Sequence, residues 1–559
     1  MSLNAQTKKR LLQISLLSVA VAAVICLVAK FLVLLIHLVT NVCFYGIADF
    51  SSRSPADNHL GLFVVILPAA GGLIVGLMAL FGSKAIRGHG IPEAMEQVLT
   101  NQSRIKPSIA FLKPVSSAIA IGSGGPFGAE GPIIATGGAL GSTIGQLFKI
   151  TPNERKVILA AGATAGMSAI FGTPIAAVFL AIELLLFEFS PKAILPVALA
   201  CITGAAGHQL LFESGPVFAM PDLESPTNLA LGIYSVLGIV IGFMSLGLTK
   251  IVYWIEDTFE KLPVHWMWWP AIGGLAVGLI GYFAPHTLGV GYDNITSVLS
   301  GNVPLTLMLS LCFFKFLSWA IALGSGTSGG TLAPLLTIGG AAGAIFGTAI
   351  LALFPDSEIS MPMAALVGMS AMFAGASRAY LTSITFALEA TMQSHALLPL
   401  LGACTASYLI SFFFMENTIM TEKIARRGIY TPDAYEPDVL RRMTVGDVLG
   451  KGGKNPDEKE VGHAMMQKEL AVLGENEPLS KAVELMASSE ADFLPVSAPG
   501  DPERIIGLLS YKDVLYAYKL YREEHEQAGV NLSLRRGRIK MMIRSRKILE
   551  KTKTSVRTS

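Results

Sequence analysis

Glu130 is the residue whose type and setting most strongly suggest chemistry. It stands in the segment Gly128–Pro132 (GAEGP), inside a long apolar and glycine-rich stretch. An ionisable side chain in such a stretch is energetically costly, so it is a functional candidate by default. The alternative interpretation is a carboxylate that only caps its own helix.

Two further segments share this design of glycines followed by a proline, Gly88–Pro92 (GHGIP) and Gly330–Pro334 (GTLAP). In each segment the proline suits the first turn of a helix and the glycines allow a sharp bend. The unpaired amides and the positive dipole end of a helix start favour an anion. The residues expected to bind it are His89, Gly90, Ile91, Gly128, Ala129, Gly131, Thr331 and Leu332.

The glycine and proline pattern of the chain repeats at an offset of 202 residues. Residues 122–124 (GSG) return at 324–326, and residues 166–171 (GMSAIF) return as GMSAMF at 368–373. Because glycine and proline are what is repeated, the two copies share backbone geometry rather than side-chain chemistry. A duplicated apolar unit of this kind indicates a membrane transporter built from two structural repeats.

The composition agrees with a chain that crosses a membrane many times. Apolar residues make up 52% and charged residues 15% of it, and the mean hydropathy is +0.56. Several apolar runs reach the ~20 residues that a membrane-spanning helix needs, and others are short or broken by glycine and proline. Lys8, Lys9 and Arg10 precede the first run, which predicts a cytoplasmic N-terminus.

An inverted duplication would direct two of the helix starts at one site near the middle of the membrane. The segments at Gly128 and Gly330 are partners at the 202-residue offset, and Glu130 has Leu332 as its counterpart. Only one copy therefore carries the acid. An anion between two helix starts would lose its water without meeting a full positive charge that binds it too tightly to release.

Residues 1–430 are predicted to form the membrane domain, with repeats at about 12–212 and 225–425. After this domain the chain becomes charged, and residues 440–525 are predicted to form a small cytosolic domain. Residues 530–559 are a basic tail, which suits either contact with the inner leaflet or a solvated disordered segment.

The cytosolic domain shows the order strand, helix, strand, strand, helix between Glu469 and Tyr518. It resembles a CBS module, whose last strand ends in a pattern that Gly507, Ser510 and Asp513 supply here. The resemblance implies a hydroxyl and a carboxylate that hold an adenine nucleotide. The alternative is that Ser510 caps the last helix. One complete module is visible, with residues 443–449 as a possible remnant of another.

The three glycine-rich segments, in this order and with a CBS-like region after them, resemble the CLC family of chloride channels and proton–chloride antiporters. The resemblance covers about residues 15–520. It implies an all-α polytopic membrane protein with two inverted repeats, broken helices and about eighteen helices, plus a small α/β domain. It also implies a homodimer with one pore per subunit. By the same resemblance Glu130 is the gate, whose carboxylate occupies the anion position until protonation or an anion displaces it.

Three positions depart from the family pattern. Glu183 is followed by Leu184, where proton-coupled members often carry a second acid, so the usual inner proton relay is missing. His89 replaces the serine of the first motif, and Met420 replaces the tyrosine that often helps to coordinate the central anion. A neutral His89 could donate one hydrogen bond, or it could pack or face the inner vestibule.

The leading functional hypothesis is a voltage-gated or pH-gated chloride channel, because Leu184 offers no group for proton relay. A proton–chloride antiporter is the alternative, since water or another carboxylate could replace that relay. An exchanger for another anion, such as fluoride or nitrate, also remains open.

A divalent-cation transporter is disfavoured because the acids Glu130, Glu183 and Glu389 stand singly in the apolar part of the sequence. No constellation for catalysis, a metal or a resident cofactor appears, so an enzyme is not expected. The expected partners are chloride or a related anion, protons if transport is coupled, the lipid bilayer and a second subunit, with no nucleic acid. The chain is predicted to lie in a bacterial inner or plasma membrane with both termini in the cytoplasm.

Overall fold

A computed structural model gives the fold of the chain. The structure describes residues 5–148, 150–212, 215–429, 431–432, 439–451, 471–498 and 501–520. The chain divides into two compact units, Met1–Tyr435 and Glu436–Ser559. The predicted basic tail at 530–559 lies outside the described residues, and the predicted domain limits stay predictions.

The described part of the first unit is built from α-helices. They are α1 Ala5–Tyr45, α2 Ile66–Phe81, α3 Ile91–Thr100, α4 Ile109–Gly122, α5 Glu130–Leu147, α6 Pro152–Phe171, α7 Pro174–Leu180, α8 Pro191–Leu211, α9 Asn228–Glu260, α10 Trp269–Phe283, α11 Tyr292–Leu299, α12 Leu305–Leu309, α13 Lys315–Gly324, α14 Leu332–Leu353, α15 Met361–Ser377, α16 Tyr380–Thr391, α17 Leu397–Phe414 and α18 Glu422–Ala425. Among the described residues, eight helical stretches are long and apolar enough to cross a membrane, and three apolar helices are shorter. The predicted helical membrane architecture with short and broken helices is confirmed.

Local sequence signals set several of these helix ends. The Thr151 hydroxyl accepts from the Glu154 amide in the first turn of α6, and the Thr151 amide donates to the Glu154 carboxylate. At the other end Gly172 takes a left-handed conformation with φ +61°, which stops the helix. Two π-helical turns, Ala181–Leu186 after α7 and Ser310–Phe314 before α13, widen the helices that contain them.

The two repeats meet where α2 packs against α10. A Cβ atom on Gly72 would overlap the backbone of Pro270, and a Cβ atom on Gly274 would overlap the backbone of Pro68. Residue numbers therefore run in opposite directions along the two packed helices. Gly72 and Gly274 are partners at the repeat offset, so this antiparallel contact is what an inverted duplication predicts.

The same glycine-dependent packing recurs inside each repeat. In the first copy, Gly137 of α5 and Gly162 of α6 lie so close that each leaves no room for a side chain on the other. In the second copy, Gly339 of α14, the counterpart of Gly137, makes a similar close contact with Gly368 of α15. These close approaches place the two helices that carry the glycine-rich starts, α5 and α14, in the buried centre of the unit.

The described part of the second unit contains a three-stranded sheet. Its strands are β1 Leu473–Gly474, β2 Phe493–Ala498 and β3 Asp501–Ser510, in the order β1-β2-β3. β1 pairs with β2 in parallel and β2 pairs with β3 antiparallel. Helix Leu479–Ser489 connects β1 to β2, and residues 511–520 are helical. The predicted order of strands and helices in this small α/β region is confirmed.

The segment interpreted as a possible remnant of another module packs into this same core. Val445 and Val448 are buried with Leu479, Val496 and other apolar residues of the sheet and helix. The Val445 amide donates to the carbonyl oxygen of Glu477 at 2.9 Å. The segment therefore contributes to the fold of the second unit.

Candidate functional site

The three glycine-rich helix starts lie together in the middle of the first unit. Gly128 and Gly330 form an antiparallel bridge, in which the Gly330 amide donates to the Gly128 carbonyl oxygen at 3.0 Å. Gly88 forms a parallel bridge with Ser328. A Cβ atom on Gly131 would overlap the carbonyl oxygen of His89. The starts of α3, α5 and α14 thus surround one point.

Glu130 is the first residue of α5 and is completely buried at this point. Its carboxylate lies over the backbone of Gly128 and beside Gly330, at the start of the opposing helix α14. Within the described residues, Oε2 of Glu130 has no hydrogen-bond partner. A carboxylate therefore sits where two helix starts converge.

Tyr292 holds the other oxygen of this carboxylate, and sequence reasoning missed it. Its hydroxyl donates to Oε1 of Glu130 at 2.8 Å. Its ring packs edge-on against Phe171, with centroids 5.8 Å apart, and tilts against Phe218. The sequence contained a weak signal for Tyr292. Gly289-Val290-Gly291, directly before Tyr292, has the same spacing of glycines as Gly88-His89-Gly90 before α3.

His89 lines a cavity of about 790 Å³ that reaches the helix starts. The side chain is 3% exposed, and its Nδ1 atom has no hydrogen-bond partner among the described residues. Next to it, Glu93 and Lys423 form an ion pair of 2.7 Å. Both interpretations of His89 stay open in this position, and its unpartnered nitrogen can accept or donate one hydrogen bond.

Two backbone amides counted as anion donors already have protein partners. The Gly90 amide donates to Oε2 of Glu93 at 2.7 Å, because Glu93 closes a capping arrangement on α3. The Gly128 amide points at the Gly330 carbonyl oxygen, because the two repeats bridge there. In this conformation neither amide is free, and the anion-binding roles expected of Gly90 and Gly128 stay predictions. The first-turn amides of α5 and α14, at residues such as Gly131 and Leu332, have no acceptor within their own helices.

The remaining residues predicted at the anion site are also buried around this point. Ala129 is buried directly before α5, and Ile91 is the buried first residue of α3. Thr331 precedes α14, and its buried hydroxyl has no partner within the described part of the chain. Met420 is completely buried, and its amide donates to the Thr418 hydroxyl at 3.2 Å. Their roles in anion binding stay predictions.

A buried lysine braces the turn that leads into the first motif. Lys113 of α4 is 1% exposed, and its Nζ atom donates to the carbonyl oxygens of Ile86 at 2.8 Å and Gly88 at 2.7 Å. These oxygens belong to the turn that presents His89. The ammonium group therefore fixes the backbone conformation at one side of the helix starts.

The second repeat contains the same arrangement. Lys315 of α13 is completely buried, and its Nζ atom donates to the carbonyl oxygens of Thr287 at 3.0 Å and Gly289 at 2.8 Å. This turn leads into α11 and presents Tyr292. Lys315 lies 202 residues after Lys113, so the repeat offset could have identified the pair from the sequence.

Leu184 is buried at 3% exposure, and the neighbouring acid has a structural task. Glu183 accepts hydrogen bonds from the amides of Leu381 at 2.8 Å and Thr382 at 3.0 Å, at the start of α16. Glu389 of α16 accepts from the amides of two residues at the start of α7, at 3.0 and 2.8 Å. The acids that stand singly in the sequence thus cap each other's helices.

Removing one of these reciprocal caps should destabilise the protein. In Glu389→Gln one side-chain oxygen becomes an amide nitrogen that cannot accept, and the negative charge at the start of α7 is lost. We expect a loss of about 1–2 kcal/mol, seen as a lower midpoint of thermal unfolding in detergent. Glu416→Gln changes an exposed acid and is the control. Equal midpoints for the two variants would contradict the capping role.

In the second unit, Ser510 and Asp513 bond to each other. The Ser510 amide and hydroxyl donate to Oδ2 of Asp513 at 2.9 and 2.7 Å, and the Asp513 amide donates back to the hydroxyl at 3.3 Å. This is the capping alternative, and nucleotide binding stays a prediction. Thr444 and Asp447 repeat the arrangement, and the hydrogen bonds from the Thr444 amide and hydroxyl hold the pKa of Asp447 below its usual range.

Known protein families match both units. The family profile described as voltage gated chloride channel matches residues 70–412, and that of the CBS domain matches residues 459–520. The chloride channel protein CLC-e of Arabidopsis thaliana is 30% identical over 406 residues, which cover 67% of this chain and 56% of the relative. The H(+)/Cl(-) exchange transporter ClcA of Citrobacter koseri is 29% identical over 394 residues, covering 67% and 82%. The chain spans about half the length of the plant relatives CLC-e and CLC-f, 56% and 46%.

Solved structures share the fold. A slow cyanobacterial Cl−/H+ antiporter superposes with a TM-score of 0.66 at 23% identity, covering 74% of this chain and 98% of the antiporter. A CLC-type fluoride/proton antiporter superposes with a TM-score of 0.58 at 20% identity, covering 72% and 95%. At these identities the likeness concerns the fold alone.

Proposed function

Because this chain belongs to the voltage gated chloride channel family, we propose that it carries chloride across a membrane through a pore gated by Glu130. One observation carries the proposal: the buried carboxylate of Glu130 lies at the start of the opposing helix α14, beside Gly330. That place combines unpaired amides with the positive dipole ends of two helices, so it suits a small anion. The carboxylate and a chloride ion would compete for it.

Gating follows from this competition. A charged Glu130 occupies the convergence of the helix starts and blocks it, whereas a protonated side chain has no charge for the dipoles to hold. Tyr292 stabilises the closed position by its hydrogen bond to Oε1. Acidification or a high chloride concentration should therefore favour the open state. No full positive charge contacts the carboxylate among the described residues, so an anion bound there can leave again.

Passive conduction is the form of transport that the geometry favours. The position of a second acid after Glu183 holds the buried Leu184, and the oxygens of Glu183 already cap α16. Neither residue is arranged to pass protons towards Glu130. We therefore propose a chloride channel, with a proton–chloride antiporter as the alternative.

A measurement of proton coupling distinguishes a chloride channel from a proton–chloride antiporter. In proteoliposomes that contain the purified protein, an imposed chloride gradient should produce chloride flux but no uphill proton movement in the channel. The variant Leu184→Glu, which places an acid at the missing relay position, tests whether the absence of that acid prevents proton coupling. It is compared with Leu185→Glu, a neighbouring buried position. Wild-type protein that pumps protons at a fixed ratio to chloride would overturn the channel proposal.

One observation keeps the antiporter as a second candidate. Four acids line the cavity that reaches His89, and one of them, Glu256, could receive protons from water in it. If proton pumping is found, Glu256→Gln should reduce it, because among the described residues Glu256 forms no ion pair or hydrogen bond that competes for its carboxylate. An exchanger for fluoride or nitrate would instead be identified by the anion that drives the largest flux.

We further propose a homodimer in a bacterial inner or plasma membrane, with both termini cytoplasmic. The second unit would then tune transport from the cytoplasm, with adenine nucleotide as a candidate ligand at Ser510 and Asp513. The capping bonds of these two residues must open or be shared for that ligand to bind. Isothermal titration of the purified chain with ATP, compared with Asp513→Asn, measures this binding.

A further inference from the structure

Among the basic residues that line the cavity reaching His89, Arg87 has a different environment from the others. Six basic side chains and four acidic ones line it. Two of the basic residues are neutralised locally, since Lys423 pairs with Glu93 and Arg427 pairs with Glu96. Lys84, Arg104 and Lys106 are exposed to solvent, whereas Arg87 is half-buried. Solvent and salt screen the exposed charges most strongly.

Two tryptophans hold the guanidinium of Arg87 in this wall. Its Cζ atom lies 5.0 Å from the ring centroid of Trp266 and 5.4 Å from that of Trp269. Stacking on aromatic faces fixes a guanidinium without neutralising its charge. Among the described residues, Arg87 forms no ion pair with a carboxylate. Glu256 and Glu260, in the same cavity wall, interact with this charge at longer range without pairing with it, so the guanidinium is left unpaired in the wall.

The backbone around Arg87 joins this charge to the helix starts. Its Nε atom makes a long hydrogen bond of 3.4 Å to the carbonyl oxygen of Gly326, and a Cβ atom on Gly326 would overlap the guanidinium. Gly326 lies two residues before Ser328, whose backbone pairs with Gly88. Arg87 itself directly precedes Gly88 and lies two residues before His89. The charge thus stands in the cavity wall beside the backbone that leads into the helix starts.

We propose that Arg87 is an anion-capture residue, at which a small monovalent anion such as chloride pauses between the cavity and the helix starts. The proposal rests on the proposed anion transport and adds a side chain to it. The anion would contact the part of the guanidinium that the two tryptophans leave uncovered, and His89, two residues further along the chain, offers an unpartnered Nδ1 atom. A fixed charge in a concave, low-dielectric wall raises the local concentration of the opposite ion.

The charge can be removed and restored with Arg87→Cys. Chloride flux in proteoliposomes at low ionic strength should fall about three- to tenfold in this variant. A positively charged methanethiosulfonate reagent should restore most of the flux, and a negatively charged one should lower it further. Wild-type protein treated with both reagents controls for its own cysteines, of which Cys26, Cys201, Cys312 and Cys404 are buried. Lys84→Cys, whose parent side chain is exposed and also lies over Trp266, should respond less than twofold.

If the wild type carries chloride but the flux of the Arg87→Cys variant does not depend on the sign of the reagent's charge, the proposal is overturned. The proposed anion transport would still stand in that case. A second measurement does not need transport. Iodide should quench the fluorescence of Trp266 and Trp269 in the wild type and quench it less in Arg87→Gln. The variant with both tryptophans changed to phenylalanine identifies their share of the signal. Equal quenching with and without the arginine would also overturn it.

Discussion

Replacing Glu130 by glutamine should leave an anion flux that no longer rises on acidification. The amide has the shape of the carboxylic acid but no charge, so the dipoles of α5 and α14 no longer hold it at the helix starts. The wild type should show a low flux at neutral pH that increases at least tenfold as Glu130 takes up a proton. Glu130→Ala should also be insensitive to pH, because it vacates the anion position.

The groups around Glu130 determine whether Glu130 alone sets the pH dependence of the flux. Tyr292 contacts the carboxylate and would lower the open fraction of the wild type, so Tyr292→Phe should shift the rise in flux towards higher pH. His89, whose backbone lies against Gly131, carries a further titratable ring in this region. Any pH dependence that survives in Glu130→Gln should vanish when His89 is also replaced by asparagine.

Flux measured by chloride efflux over a range of pH tests these expectations. Glu260→Gln is a suitable control, since Glu260 is an exposed acid in the wall of the same cavity. It should keep the full pH dependence. If Glu130→Gln and Glu130→Ala both retain the wild-type pH profile, Glu130 is not the gate.

Replacing Lys315 by methionine should have the second largest effect. The change leaves the carbonyl oxygens of Thr287 and Gly289 without their buried donor, at a cost of about 1–3 kcal/mol each. These oxygens fix the turn before Tyr292. We therefore expect Tyr292 to lose its position against Glu130, and the pH at which flux rises to move in the same direction as in Tyr292→Phe.

A double-mutant cycle separates this effect from general damage to the fold. If Lys315 acts through Tyr292, the double variant Lys315→Met/Tyr292→Phe should shift the pH profile no further than the larger single variant. Lys113→Met removes the equivalent lysine of the other repeat and is the matched control, because its turn presents His89 instead. Lys315→Arg, which retains a charge and donors, should recover part of the wild-type profile. Additive shifts from Lys315 and Tyr292 would show that the two residues act independently.

The sequence alone supported the membrane fold because its signals are local. The 202-residue offset of glycines and prolines predicted two repeats, since these residues restrict the backbone wherever they stand. The antiparallel contact between Gly72 and Pro270 bears out the inverted arrangement. Helices α5 and α14 begin at Glu130 and Leu332, as the proline positions indicated. The strand and helix order of the second unit followed from its hydrophobic pattern in the same way.

The environment of each functional side chain was decided only by tertiary structure. Tyr292 and Glu130 are 162 residues apart in sequence, and no local pattern states that the hydroxyl of one reaches the carboxylate of the other. The carboxylates of Glu183 and Glu389 stand singly in the sequence but cap each other's helices once α7 and α16 pack together.

The sequence by itself therefore determined that the chain is a duplicated helical membrane protein, that helices start at the glycine-rich segments and that one repeat carries an acid at such a start. It could not determine which amides remain free there, since Glu93 turns back onto the Gly90 amide and the repeats bridge at Gly128. It also did not show that Trp266 holds the charge of Arg87 in the cavity wall. Helix starts depend on residues that are neighbours along the chain, whereas hydrogen bonds and charge placement depend on how distant segments pack.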